Sequence, residues 1–389
     1  MDAIQIVQEY LNKKKIIEEL LLDYLENDDK ENATFNKLIN YLYNHNIPTS
    51  KKDMKTFLRL ISKIADHHYR NPAFFEKILN IIKIVQKEFE NLFTNVEIFN
   101  FFKKNKLLLL FLFETQIIFP EKSIFDIICT GKYKKRFYLE YFYPEFKSFL
   151  DDKIRQNIMS EYPEITSDTF YEKRKNGKND NYICQLIQKD SIVEFVGHVN
   201  QADLELDEFN IKPSIYETNL ALLRDKVKLI EYAAFYGSIK IFNYLRSYVL
   251  INYKSLMSYL IHSKSVQLFH IIEEDLSGKS NIIYYCYVYS IICHHNDITN
   301  YIKNNLEFDN LDEENFKHSF SRCIGNYNFI EYEEIINNEL IDISIKYELE
   351  NEMKDGIIFL SWVVFDDIDV VDLIIKKTNI NLNSIIILK

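Results

Sequence analysis

Apolar residues recur at three- and four-residue steps along most of this chain, which is the period of one helix face. Ile4, Val7 and Leu11, followed by Ile17, Leu20, Leu21 and Tyr24, mark a first amphipathic helical region. Ser50 with Asp53 resembles a capping box and opens a helix carrying Met54, Phe57, Leu58 and Ile61. Asn71-Pro72 is a start signal, an Asn cap before a Pro at the first helical position. The helix after it is expected to bury Phe75, Ile78, Leu79, Ile82 and Val85. Leu107 to Phe113 is the strongest apolar run, closed by Glu114. It falls far short of the roughly 20 apolar residues that a membrane span needs, so it reads as a buried helix. Pro120 opens a short helix with Ile124, Ile127 and Ile128.

The pattern changes in the second half. Leu229-Ile-Glu-Tyr-Ala-Ala-Phe-Tyr-Gly-Ser-Ile-Lys-Ile-Phe-Asn-Tyr-Leu245 reads as the two-helix unit of an ankyrin-type repeat. Ala233 and Ala234 let a neighbouring helix approach closely, and Gly237 supplies the left-handed position that ends the first helix. Ile239, Ile241, Phe242, Tyr244 and Leu245 then form a buried stripe. Aligning degenerate copies on Gly237 places equivalent turns at Asp190, Lys264, Asn296, about Tyr327 and Asp366, at intervals scattered around the ankyrin period of about 33 residues. Such a unit cannot bury its apolar face alone, so it implies stacked neighbours.

Glu172 to Asp180 contains no apolar residue and includes Gly177, so 161–181 is expected to be a linker. A second irregular segment runs from Asn200 to Asn219, with Pro213 inside it. The expected architecture is all-α: an N-terminal all-helical domain over 1–160, the linker, and a degenerate ankyrin-like helix-turn-helix solenoid over 182–389.

Several motifs carry a resemblance. Asp180-Asn-Tyr-Ile-Cys-Gln-Leu-Ile, Ser191-Ile-Val-Glu-Phe-Val, Val199-Asn-Gln-Ala-Asp-Leu, Pro213-Ser-Ile-Tyr-Glu-Thr-Asn and Leu229 to Phe242 look like a large family of ankyrin-like proteins. That family is expanded in trichomonad protists and carries a domain of unknown function. The resemblance covers nearly the whole chain. It implies a protein-binding architecture and carries over no activity, cofactor or site residue. The chain departs from ordinary ankyrin repeats in lacking a Thr-Pro-Leu-His start, where Lys228-Leu-Ile-Glu231 stands instead. Recognisable hairpin fingers are missing between most units. Relatives commonly continue into better-formed repeats beyond Asn381–Lys389, so this apolar tail is expected to be buried or to mark a truncated family member.

Composition narrows the picture. The chain has 389 residues, enough for two or three domains at about 150 each. With 47% hydrophobic and 15% aromatic residues it can bury a large core, and only 7 Gly and 6 Pro argue for helices joined by short turns. A net charge of −11 disfavours nucleic acid and anionic membrane. The short basic runs Lys13–Lys15, Lys132–Arg136 and Lys173–Lys175 read as solvated faces. The first ten residues lack the order of a signal peptide. Cys129, Cys184, Cys286, Cys293 and Cys323 are odd in number and irregularly spaced, which fits reduced thiols in an intracellular, cytoplasmic setting with the nucleus open.

Candidate chemistry is sparse. Cys286, Cys293, His294 and His295 lack the paired spacing of a structural zinc site and read as core thiols beside a helix end. His67-His68 reads as another helix end. No phosphate-cradling glycine motif and no nucleophile elbow occurs. The carboxylate pairs Asp28–Asp29, Glu313–Glu314 and Asp366–Asp367 read as solvated. The crowded aromatics Phe99, Phe101, Phe102, Phe111, Phe113 and Phe119, and Tyr284, Tyr285, Tyr287 and Tyr289, read as helix packing, with an exposed anchor surface as the sharper alternative. No catalytic, cofactor-binding or metal residue is singled out. The expected function is a protein-binding scaffold or adaptor that is not an enzyme. The alternatives are a structural component self-associating through its C-terminal edge, and an enzyme without a recognisable motif.

Overall fold

The computed structural model describes residues 3–27, 32–68, 72–130, 133, 136–223, 226–276, 278–306 and 313–334. Among them the regular structure is helical, with 22 α-helices and a lone antiparallel bridge between Asn210 and Lys228 in place of a strand. No helix among the described residues is long and apolar enough to cross a membrane. The chain forms two compact units. One joins residues up to His67 with those from Gly278, and the other is His68–Ser277.

The first unit begins with α1 (Ala3–Glu26), α2 (Ala33–Asn44) and α3 (Lys51–His68). Leu11, Ile17, Leu21 and Tyr24 of α1 are buried, as are Met54, Phe57, Leu58 and Ile61 of α3. Ser50 caps α3 by accepting the Asp53 N–H at 3.2 Å. The reciprocal half of the expected box is absent because the Asp53 carboxylate turns to α1. There it pairs with Lys14 and with Lys13 at 2.9 Å.

The second unit opens with α4 (Pro72–Ile84), α5 (Gln86–Leu92), α6 (Asn95–Phe102), α7 (Lys106–Glu114) and α8 (Lys122–Cys129). In α4 the buried face is Phe74, Ile78, Ile81 and Ile82, with Val85 buried just past its end, so Phe74 and Ile81 replace the expected Phe75 and Leu79. Apolar residues wrap most of this helix, and periodicity alone does not choose between two stripes one residue apart. In α7 Leu108, Leu109, Leu110, Leu112 and Phe113 are buried, as the apolar run predicts.

Next come α9 (Tyr138–Tyr141), α10 (Tyr143–Phe146), α11 (Asp152–Glu161) and α12 (Asp168–Asn176). The last corrects the expected linker at 161–181. Ser167 caps α12 by accepting the Phe170 N–H, Phe170 and Arg174 are buried, and Gly177 ends the helix at φ 67°. The polar run is folded because its central Arg174 has buried partners, which a count of apolar residues does not register.

Helix pairs follow: α13 (Tyr182–Gln188) with α14 (Ile192–Gln201), α15 (Leu229–Tyr236) with α16 (Ile239–Arg246), and α17 (Tyr253–Ser263) with α18 (Val266–Leu276). In the first unit α19 (Ser280–Cys293) pairs with α20 (Asn296–Asn305), and α21 (Glu313–Asn326) with α22 (Phe329–Glu334). Each pair reverses through one residue in the left-handed region: Asp190, Gly237, Lys264, His294 and Tyr327, with φ of 50°, 71°, 50°, 56° and 63°. At Gly237 its own N–H bonds Ala234 O at 3.1 Å and the Ser238 N–H bonds Ala233 O at 2.9 Å, closing the helix end. Asp190 and His294 repeat both bonds. The sequence alignment places the fourth turn at Asn296. The structure puts it at His294, because the polar run His294-His295-Asn296-Asp297 offers several candidate turn positions.

Within the second unit α15 packs between α13 and α17, and α14 packs on α16. Ala233 and Ala234 are fully buried, which permits that approach. Within the first unit α19 packs on α21. A side chain fixes the register in both units. Ser238 Oγ donates to Ile187 O at 2.6 Å, and Asn328 Nδ2 donates to Ile291 O at 3.1 Å. Ile187 precedes Asp190, and Ile291 precedes His294, by the same interval. Asp190 also caps the next pair, its carboxylate accepting the Lys240 and Ile241 N–H groups at 3.1 and 3.0 Å. The expected turn at Asp366, Trp362–Ile375 and the Asn381–Lys389 tail lie outside the described residues.

Gly177 and Gly237, two of the three left-handed glycines among the described residues, differ in their surroundings. A Cβ at Gly237 would meet only ordinary contacts at 3.8 Å, whereas one at Gly177 would lie 3.0 Å from both Leu107 methyls and from Thr218 Oγ1. Gly237→Ala should therefore cost about 1 kcal/mol from backbone strain alone. Gly177→Ala should cost roughly 2–4 kcal/mol, since overpacking adds to the strain. Urea unfolding of both variants checks the order, and equal losses would show that the space at Gly177 does not matter.

Candidate functional site

Each unit holds a buried polar network, and these contain the charged groups on which chemistry would draw. In the second unit the chain leaves α14 and runs without a helix to Leu223, yet Ile211, Ile215, Tyr216 and Leu222 are buried, as is Val227 beyond it. Buried irregular backbone needs hydrogen-bond partners. Many come from the stretch after α12. Asn179 Nδ2 and Asn181 Nδ2 donate to Lys212 O at 2.9 and 3.0 Å. The Thr218 N–H and hydroxyl donate to Gly177 O at 3.2 and 2.8 Å. Ser214 Oγ donates to Asp180 Oδ1 at 2.8 Å.

Glu217 lies at the centre, fully buried. Its carboxylate accepts the N–H groups of Asn179 at 3.2 Å and Asn219 at 2.9 Å. Lys106, the first residue of α7 and also fully buried, donates Nζ to Glu217 O at 3.1 Å. Its ammonium lies over the rings of Tyr138 and Tyr141, 5.3 and 5.0 Å from their centroids. Arg174 approaches Tyr141 as well, donating to Tyr141 O at 3.1 Å and to Glu145 at 2.7 Å, while the Tyr141 hydroxyl donates to Arg174 O at 2.8 Å.

Burial dominates the electrostatics. It pushes Glu217 up to about 7, against the backbone N–H donors and Lys106. It pulls Lys106 down to about 7, against the pull of Glu217 and Glu140. Two groups titrating near neutrality resemble an acid–base pair. Here, however, both are fully enclosed and spend their bonds on the chain itself, so the arrangement is a structural junction.

In the first unit the network centres on Glu18 of α1, which is 0% exposed, and His294, which is 1% exposed. His294 Nδ1 bonds Glu18 at 2.7 Å and Nε2 faces Asn326 O at 3.0 Å. Glu18 also accepts the N–H groups of Phe329 and Ile330 at 2.6 and 3.2 Å, the first turn of α22. Nearby, Lys303 bridges Glu331 and Glu334 at 2.8 and 2.9 Å.

The chain matches no family model, no curated protein and no solved structure.

Of the residues raised by sequence, Cys286 and Cys293 are buried on α19, and burial pushes Cys286 up to about 12. His294 spends both ring nitrogens on protein partners. His67 lies in the last turn of α3. In the aromatic clusters Phe99, Phe102, Phe113 and Tyr287 are buried, Phe101, Phe111, Tyr284, Tyr285 and Tyr289 are half-buried, and Phe119 is exposed. Asp28–Asp29 and Asp366–Asp367 lie outside the described residues. Sequence reasoning missed Lys106, Glu217, Arg174 and Glu18. The available signal for Lys106 was its place at the head of the most apolar run; for Glu217 it was the resemblance motif around it.

The Lys106–Glu217 junction makes stability depend on pH in a signed way. Glu217 is raised when folded, so its favourable contribution is full below about 4.5 and is lost as pH rises towards about 7. Lys106 is lowered when folded, so the cost of burying its charge persists below about 7 and is relieved as pH rises towards about 10.5. The wild-type chain minus a Lys106→Met/Glu217→Gln double variant should therefore show its least favourable stability difference near pH 7. Urea titrations at pH 5, 7 and 9 measure it, and a difference flat across the three would contradict the assignment.

Proposed function

We propose that this chain is a protein-binding scaffold or adaptor built on a degenerate ankyrin-like stack of helix pairs. The observation that supports it most is the shared register. In both units a side chain at the start of one second helix bonds the same carbonyl position of the preceding pair, through Ser238 to Ile187 and Asn328 to Ile291. Helix pairs held in register this way form a rigid surface, and a pre-formed surface loses little ordering entropy on binding. The charged groups described above are committed to the fold, which favours binding over chemistry as the role of this chain.

The second unit also presents apolar side chains that its own core does not use. Val193 on α14 is 79% exposed and Val266 on α18 is 61% exposed. Beyond α16, Tyr248 and Leu250 are 62% and 90% exposed. Aromatic and aliphatic anchors of this kind make up the centres of protein interfaces.

The test is affinity capture with the full chain and with a Val193→Asp/Leu250→Asp variant, each checked for an unchanged melting temperature. A defined heterologous partner, lost at least tenfold in affinity with the variant, is the expected result. Recovery of this chain alone, with light scattering showing multimers, would favour the self-associating structural component instead.

A further inference from the structure

We draw no further inference here: the strongest candidate, the exposed apolar patch of Tyr248 and Leu250 on the segment that joins α16 to α17 beside Asp207, belongs to the surface already described, and nothing in the structure shows what covers it.

Discussion

The helix pairs depend on one backbone constraint, a reversal that satisfies its own hydrogen bonds. A helix end leaves carbonyls without partners, and where helices pack together water does not reach all of them. One left-handed residue closes two of those bonds at Asp190, Gly237 and His294 and points the chain back along its own first helix. Only Gly237 is a glycine. The other positions accept backbone strain of order 1 kcal/mol because the second helix has to start there. With the reversals set, α15 lies between α13 and α17 and α14 lies on α16 in the second unit, and α19 lies on α21 in the first. Ser238 and Asn328 then need only reach one carbonyl to fix the spacing between pairs.

Much of this was legible. The all-helical class follows from period and from the scarcity of glycine and proline. Four turns, at Asp190, Gly237, Lys264 and Tyr327, are placed by aligning apolar stripes on a single glycine. Periodicity misplaces the turn at His294, where four consecutive polar residues leave the stripe without an edge. It slips again in α4, where apolar residues nearly encircle the helix. The polar run around Arg174 illustrates the opposite failure. Composition treats a basic residue as solvated, while Glu145 and the backbone of Tyr141 give it an interior.

The buried charges were not legible for a general reason. A pattern of residue types reports which face of a helix is buried and says nothing about the partner that a charge will meet. Glu18 and His294 are separated by nearly the whole described chain, and neither stands out locally. Glu217 is a partial exception. It sits in Pro213-Ser-Ile-Tyr-Glu-Thr-Asn, one of the motifs carrying the family resemblance, and Asp180 lies in another. The structure brings the two motifs together through Ser214 and Asp180, and Glu217 accepts the N–H of Asn179 just before the second motif, so these residues serve to bury an irregular loop.

The first unit needs both flanks of the sequence, and that has a consequence for how the chain is made. Residues up to His67 leave the ribosome long before Gly278 does, with all of His68–Ser277 to be synthesised between them. At about 5–20 residues per second the interval is on the order of 10–40 s. Throughout it α1 has α2 to pack on but lacks α22, which has not yet been translated, while the second unit, contiguous in sequence, is free to fold. The contiguous second unit can therefore be complete before the first unit has all of its helices.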